Sequence, residues 1–291
     1  MGVGENSWDQ WIVLDRLPAA GEKIQASERG EGAGGQIATA LLCCARLGLS
    51  AAYLGVVGAD AEGARVLAPL RAARVDCSGV QVVPAAATRR AFIWVDQNGE
   101  RTICAARDPE LRLQVERLDS AWIESGALLL LDCEDLDLAH WAISRARAAS
   151  VPVMLDADRW EPAHRDLLRG VDFPIVSGAV ARGLAAADEL GEGLREIMGA
   201  RTVMATATLG ARGATARLGS RVLEQSPPPV EVLDTTGAGD VFRGCFAWAL
   251  HRGLGAAGVL AAAVRGAALS CSGRGAQGQL PSRDALLAGP G

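Results

Sequence analysis

The sequence predicts an α/β fold with a largely parallel sheet. Apolar runs of strand length alternate along the chain with Ala- and Leu-rich stretches of helical length, the rhythm of repeated β-α units. One run, residues 128–131, is apolar at every position, as a strand buried on both faces should be. A second, smaller part is also predicted. Residues 11–25 and 88–103 alternate like strands and have no helix after them.

Taken in order, residues 37–47 read as a helix stopped by Gly48. Residues 51–57 read as a strand ended by Gly58, and 61–73 as a helix with Arg65 and Arg71 on its polar side. After the 128–131 strand come a helix at 138–149 and a strand at 151–155. Residues 173–176, 203–207 and 221–224 continue as strands. Within 88–103, Phe92, Trp94 and Asp96 fall on one face, with Ile93 and Val95 on the other. The turn Asp96-Gln97-Asn98-Gly99 then implies a hairpin. The pieces at about 11–33 and 87–106 form either a small antiparallel lid on the main sheet or a pair of edge strands without functional motion. Pro227-Pro228-Pro229 reads as a stiff extended connection.

Composition narrows the function. The 291 residues are 49% hydrophobic, ample for a buried core. A formal net charge of -5 argues against nucleic acid and against a polybasic membrane contact. The apolar runs are too short for a transmembrane helix, and the N-terminus lacks the zones of a signal peptide. Seven scattered cysteines without a CxxC pair read as reduced thiols in a cytoplasmic protein. The histidines, His140, His164 and His251, have no metal-ligand spacing.

The strongest chemical signal is Asp234-Thr235-Thr236-Gly237-Ala238-Gly239-Asp240-Val241-Phe242. It follows the apolar residues 230–233 and opens a helix through Phe242, Phe246 and Leu250, so it is expected as strand, turn and helix. The N–H groups of Gly237, Ala238 and Gly239 at a helix start would form an anion site. Asp240 falls in the first turn beside it. Taken alone, such an Asp is most often a helix-start carboxylate. Next to a phosphate-binding turn it would repel its own ligand unless it serves the reaction, and taking the proton of an attacking alcohol is such a use. There is no GxxxxGK[ST] loop, and the glycine turn lies too late in the chain for a dinucleotide site.

That string resembles the C-terminal signature of the ribokinase-like carbohydrate kinases, the phosphofructokinase B family. Gly34-Gly35-Gln36-Ile37-Ala38-Thr39-Ala40, running on to Leu47-Gly48, resembles its N-terminal signature. Pro18-Ala19-Ala20-Gly21-Glu22, Val57-Gly58-Ala59-Asp60, Gly99-Glu100-Arg101-Thr102, Thr208-Leu209-Gly210-Ala211-Arg212-Gly213 and Gly275-Ala276 are further matches in family order. The resemblance implies one ribokinase-like domain over 1–291: a Rossmann-like αβα sandwich with a small antiparallel β lid. It implies ATP-dependent transfer to a sugar hydroxyl, with Mg2+ and a potassium ion as helpers. It places Asp240 as catalytic base and Gly237, Ala238 and Gly239 as anion hole. Asp9, Gly34, Gly35, Thr39 and Asp132 fall at sugar contacts; Thr208, Gly210, Gly213 and Gly275 fall at nucleotide contacts. A homodimer through the lids is also implied. By the same resemblance, potassium would sit between the loop after Asp234 and residues 270–279.

The chain departs from that pattern at several points. Thr39 stands where the family often has Asn. Ser177 and Val180 replace the family's Asn-x-x-Glu motif, so no metal ligands are named. Only three residues precede Gly4, so the first central strand reads as clipped. Arg243 follows Phe242, facing the acceptor, the phosphate or solvent. The GGxxAT string, Leu155-Asp156-Ala157-Asp158 and Ser177 resemble a subgroup that includes the sulfofructose kinases. Yet Asp132-Cys133-Glu134-Asp135 is acidic where an anionic substrate calls for Arg, which favours a neutral sugar. Trp8, Trp11 and Trp94 suit either sugar stacking or packing, and Arg159 either ATP phosphates or a surface ion pair. A nucleoside kinase and a catalytically silent sugar or nucleotide sensor are the rival readings.

Overall fold

A strand whose residues are all apolar needs two cores, one on each face, and the sheet supplies them. In the computed structural model, which describes residues 1–184 and 189–287, Leu130, Met154 and Ile175 point into one core. Leu129, Leu131, Val153 and Leu155 point into the other. The first core is closed by the helices Gln36–Arg46, Ala238–His251 and Ala256–Ser270, through Ile37, Leu41, Phe246 and Val264. The second is closed by Leu136–Ala148 and His164–Arg169, through Leu138, Ile143 and Leu167. The architecture is therefore the expected αβα sandwich.

The strands in chain order are β1 (Gly2–Val3), β2 (Ser7–Val13), β3 (Glu28–Gly34), β4 (Tyr53–Leu54), β5 (Val56–Gly58), β6 (Gln81–Val83) and β7 (Arg90–Val95), then β8 (Arg101–Ala106), β9 (Leu129–Leu131), β10 (Val153–Ala157), β11 (Phe173–Ser177), β12 (Ala205–Thr208), β13 (Ala214–Leu218) and β14 (Arg221–Gln225). The main sheet has the order β14-β13-β12-β11-β10-β9-β1-β4. It is parallel from β4 to β12, and β13 and β14 add an antiparallel edge. The two-residue β1 lies between β9 and β4, and the Met1 ammonium donates to the Leu128 carbonyl at 2.8 Å.

A four-stranded sheet, β3-β2-β7-β8, stands apart. Its outer pairs are antiparallel and the central β2–β7 pair is parallel. The hairpin turn after β7 forms as expected, Asp96 N–H donating to Glu100 O at 2.9 Å. Alternation sets the two faces. Val13, Ala91, Ile93 and Val95 are buried, while Phe92 is exposed on the opposite side.

Three elements depart from the sequence reading. The predicted strand at 11–25 begins earlier, at Ser7, and stops at Val13, since Pro18 and Gly21 interrupt the chain beyond it. The predicted strand at 51–57 is two. Tyr53–Leu54 edges the main sheet, whereas Val56–Gly58 pairs with β6 in a separate ribbon. Between them, a side chain on Gly55 would meet the Tyr53 hydroxyl. Finally, residues 230–233 form no strand. β14 ends at Gln225, and an extended connection leads to the turn at 234–237.

Candidate active site

The carboxyl ends of parallel strands gather loops and leave a crevice, the usual ligand position in such sheets. Here a cleft of about 380 Å3 lies at that edge, within the size range of small-molecule sites. Glu5 follows β1, Glu134 follows β9, Asp156 lies near the end of β10 and Asp158 just beyond it, Ser177 ends β11 and Thr208 ends β12; all line it. From the smaller sheet, Asp9, Ile93, Arg101 and Ile103 line the opposite wall.

The Asp234–Asp240 turn forms one end. Asp234 is buried, and its carboxylate ties two loops together. Oδ1 accepts from Thr236 N–H at 2.8 Å, and Oδ2 accepts from Gly275 N–H at 2.8 Å. Gly237 caps the helix Ala238–His251 with φ 76, a conformation that costs other residues about 1–2 kcal/mol. A Cβ on Gly237 would also lie 2.6 Å from the Ala276 Cα. Gly237 and Gly239 line the cleft. Ala238 is not among the lining residues, and its N–H donates to Thr235 O at 3.2 Å. The remaining amides of a first helical turn have no acceptor within their helix, so they suit an anion.

Asp240 lines the cleft from within the first turn of that helix. Burial pushes its carboxyl up to about 7, although the Arg243 guanidinium holds it down and Asp156 opposes that effect. Arg243 contacts both Asp240 Oδ1 and Asp156 Oδ2. A carboxylate raised toward neutrality at the start of a helix has the chemistry to take a proton from an alcohol and return it to solvent.

Asp9, on β2, is buried and accepts from Ser7 Oγ at 2.5 Å; burial pushes it up to about 6. Gly34 and Gly35 make room here. A Cβ on Gly34 would lie 2.0 Å from Asp9 Oδ2, and Gly35, at φ 92, passes against the Asn6 backbone. Asp132 is buried in a small adjoining recess with Glu5, Arg89 and Arg107. It accepts from Glu5 N–H at 2.7 Å and Glu134 N–H at 3.2 Å, and burial pushes it to about 6. Thr39 is fully buried and its hydroxyl accepts from Gln277 Nε2 at 3.3 Å, so it does not line the cleft. Thr208 does, whereas Gly210, Gly213 and Gly275 shape the turns behind it. Gly213, at φ 85, would press a Cβ onto the Gln225 carbonyl.

The tryptophans turn outward or pack. Trp8 donates its indole N–H to Glu31 at 3.2 Å beneath Arg65, and Trp11 packs on the small core of the smaller sheet. Arg159 lines the cleft and pairs with Glu134 at 2.9 Å. Sequence reasoning missed the Glu5–Arg89 pair, at 2.5 Å. Nothing in an isolated Glu marked it, since its partner lies far along the chain. The Ser177 hydroxyl donates to Asp158 O at 3.1 Å and accepts from Val180 N–H at 3.2 Å. Among the described residues no three His, Cys, Asp or Glu side chains converge as a metal site.

Comparison with known proteins identifies the family. The family model for pfkB family carbohydrate kinases matches residues 2–283, and the chain belongs to that family. It is an ATP-dependent carbohydrate kinase. The chain is similar to the ribokinase of Arabidopsis thaliana, at 26% identity over 98% of this chain and 79% of that protein. It is also similar to the ATP-dependent ribose-1-phosphate kinase of Halopiger xanaduensis, at 29% identity over 84% of this chain and 82% of that one. The structure of Arabidopsis thaliana ribokinase complexed with ribose and ATP superposes with a TM-score of 0.83 and 25% identity, covering 98% of this chain and 96% of that chain.

Proposed function

We propose that the enzyme transfers the γ-phosphoryl group of MgATP to a hydroxyl of a neutral sugar. One observation carries this reading: Asp240 lies in the cleft, in the first turn of the helix that opens at Gly237. Asp240 takes the hydroxyl proton, the oxygen attacks the γ-phosphorus in line, and the bond to the bridging oxygen of ADP breaks. The Gly237 and Gly239 amides, with the helix dipole, stabilise the developing charge. Magnesium arrives with the nucleotide, held by phosphates and waters as is its habit.

Asp9 is the sugar-facing carboxylate, able to accept two hydroxyl hydrogen bonds. Asp132 supports that end of the site from the adjoining recess. Thr208 and the turns at Gly210, Gly213 and Gly275 shape the nucleotide end. Acidic groups outnumber cations along the cleft, with Glu5, Asp9, Glu134, Asp156, Asp158 and Asp240 against Arg89, Arg101, Arg159 and Arg243. That balance favours a neutral acceptor. The smaller sheet acts as a lid within a single catalytic domain. Its edge strand β8 is exposed at every position, which supports pairing of two copies through their lids. Seven unpaired thiols support a cytoplasmic setting.

An ADP-release screen over pentoses, hexoses and nucleosides tests the reading. Turnover with a sugar supports it, turnover only with nucleosides makes the protein a nucleoside kinase, and binding without turnover makes it a sensor. Repeating the active reaction with potassium replaced by a large organic cation tests whether a monovalent ion between the 234 loop and residues 270–279 assists. Sedimentation of the purified protein tests the lid dimer.

A further inference from the structure

Arg243 is 6% exposed in its side chain, and its guanidinium touches two carboxylates from different elements. Asp240 lies on its own helix, three residues earlier, and Asp156 lies at the end of β10. An Arg cannot shed its proton inside a protein, so burial obliges it to keep charged partners. Two acids then share one cation. Asp156 is itself buried, and its carboxyl is raised by burial and lowered by Arg243.

We propose that Arg243 is a positioning residue for phosphoryl transfer: anchored by Asp156, it fixes the Asp240 carboxylate in the cleft and keeps it able to accept a proton. This rests on the reading of Asp240 as base. During transfer the alcohol proton moves to Asp240, the new O–P bond forms and the bond to ADP breaks. Arg243 keeps all its protons. As Asp240 becomes neutral, the guanidinium loses one counter-charge, and Asp156 retains it. Without that anchor the guanidinium would be free to follow the negative phosphoryl group and leave Asp240 disoriented for the next cycle.

Four charged groups face Asp240. Arg243 lies on its own helix, Asp156 on β10, Arg101 on β8 and Asp9 on β2. Arg243 and Arg101 favour the ionised base, and Asp156 and Asp9 oppose it. The two partners of the triad therefore act with opposite sign, which a packing role cannot imitate.

The test is the pH profile of kcat/KM for wild type, Arg243→Gln, Arg243→Lys and Asp156→Asn, with Asp240→Asn assayed alongside. The acid limb is expected to move up by about one unit or more in Arg243→Gln, the usual effect of losing an adjacent opposite charge. In Asp156→Asn it is expected to move down. Arg243→Lys is expected to recover part of the shift, since a Lys keeps the charge but cannot fork between two acids. Rate losses that are equal at every pH, with an unmoved limb, would overturn the proposal and leave Arg243 a structural residue. If Arg243→Gln does not fold, the direction of the Asp156→Asn shift decides alone. Should Asp240→Asn keep normal turnover, the base assignment fails. Should it be inactive while the other profiles coincide, only the positioning role fails.

Discussion

The Asp9 carboxylate stands where a side chain on Gly34 would have to be: an added Cβ would lie 2.0 Å from Asp9 Oδ2 and 2.6 Å from its Cγ. The register of β2 against β3 creates the relationship, pairing Ser7 with Gly34 and Trp8 with Ala33. Gly34 is thus required by close approach, not by backbone conformation. Gly34→Ala is expected to displace Asp9 while leaving the fold intact. The KM for the sugar should rise by about tenfold or more, the usual scale for losing a hydrogen bond to a charged group, with the KM for ATP little changed. Steady-state kinetics in both substrates, with a thermal melt as control, checks it. An unchanged sugar KM would remove Asp9 from the acceptor site.

Gly237 is constrained twice, by φ 76 and by the Ala276 backbone against its α-carbon. Gly237→Ala is expected to cost on the order of 2 kcal/mol or more of stability. It should also lower kcat by separating the helix start from the loop that Asp234 ties to it. Chemical denaturation and single-turnover rates read the two effects. Full activity in a fully stable Gly237→Ala protein would show that the turn is not held as described.

Those two glycines also show what the sequence made legible. The glycine string at 237–239 and the pair at 34–35 stood out because small residues at a helix start have a local physical meaning. The sandwich was legible for the same reason, since continuously apolar strands imply two cores. β3, by contrast, reads Glu-Arg-Gly-Glu-Gly-Ala-Gly, with no strand signal at all. It is a strand only because β2 offers it a hydrogen-bonding edge. Arg243 is visible in the sequence but its surroundings are not. Whether an Arg on a helix faces solvent or a buried acid depends on what β10 brings opposite, and that is decided by tertiary packing. The same holds for Thr39, since a helix position near a signature says nothing of which face is buried, and its hydroxyl meets Gln277.

The buried acids give the protein an unusual pH dependence. Asp9 and Asp132 are raised to about 6 and Asp240 to about 7, all from 3.8, with burial as the leading cause. Between about pH 4 and pH 7 the folded state therefore binds more protons than the unfolded state, and stability falls as pH rises through that window. Below it, Asp60, Asp76 and Asp108, which hydrogen bonds hold lower than usual, lose their contribution as they protonate. Urea unfolding across this range is expected to show greatest stability in mildly acidic buffer. A stability that climbs steadily from pH 4 to pH 7 would contradict the burial of these carboxyls.

Activity should run the other way, and this makes Asp240→Asn the decisive variant. The base works only when ionised, so kcat/KM should decline as pH falls below about 7. The amide cannot accept the hydroxyl proton but keeps nearly the same shape. Turnover should therefore drop by at least about a hundredfold, the low end for general-base catalysis, while ATP affinity is largely retained, because under the proposed reading Thr208 and the helix start, not the Asp240 carboxylate, hold the nucleotide. The same substitution removes one proton-linked group, so its stability should depend less on pH between about 4 and 7 than that of the wild type. Arg243 would then keep Asp156 as its only acidic contact, with the charge balance of the pair preserved. Kinetics, nucleotide titration and unfolding can be measured on the same preparation. Loss of turnover with a flattened stability profile identifies Asp240 as the buried, ionisable base. Loss of turnover with an unchanged profile would mean that the titrating acid lies elsewhere in the cleft, with Asp9 the next to replace.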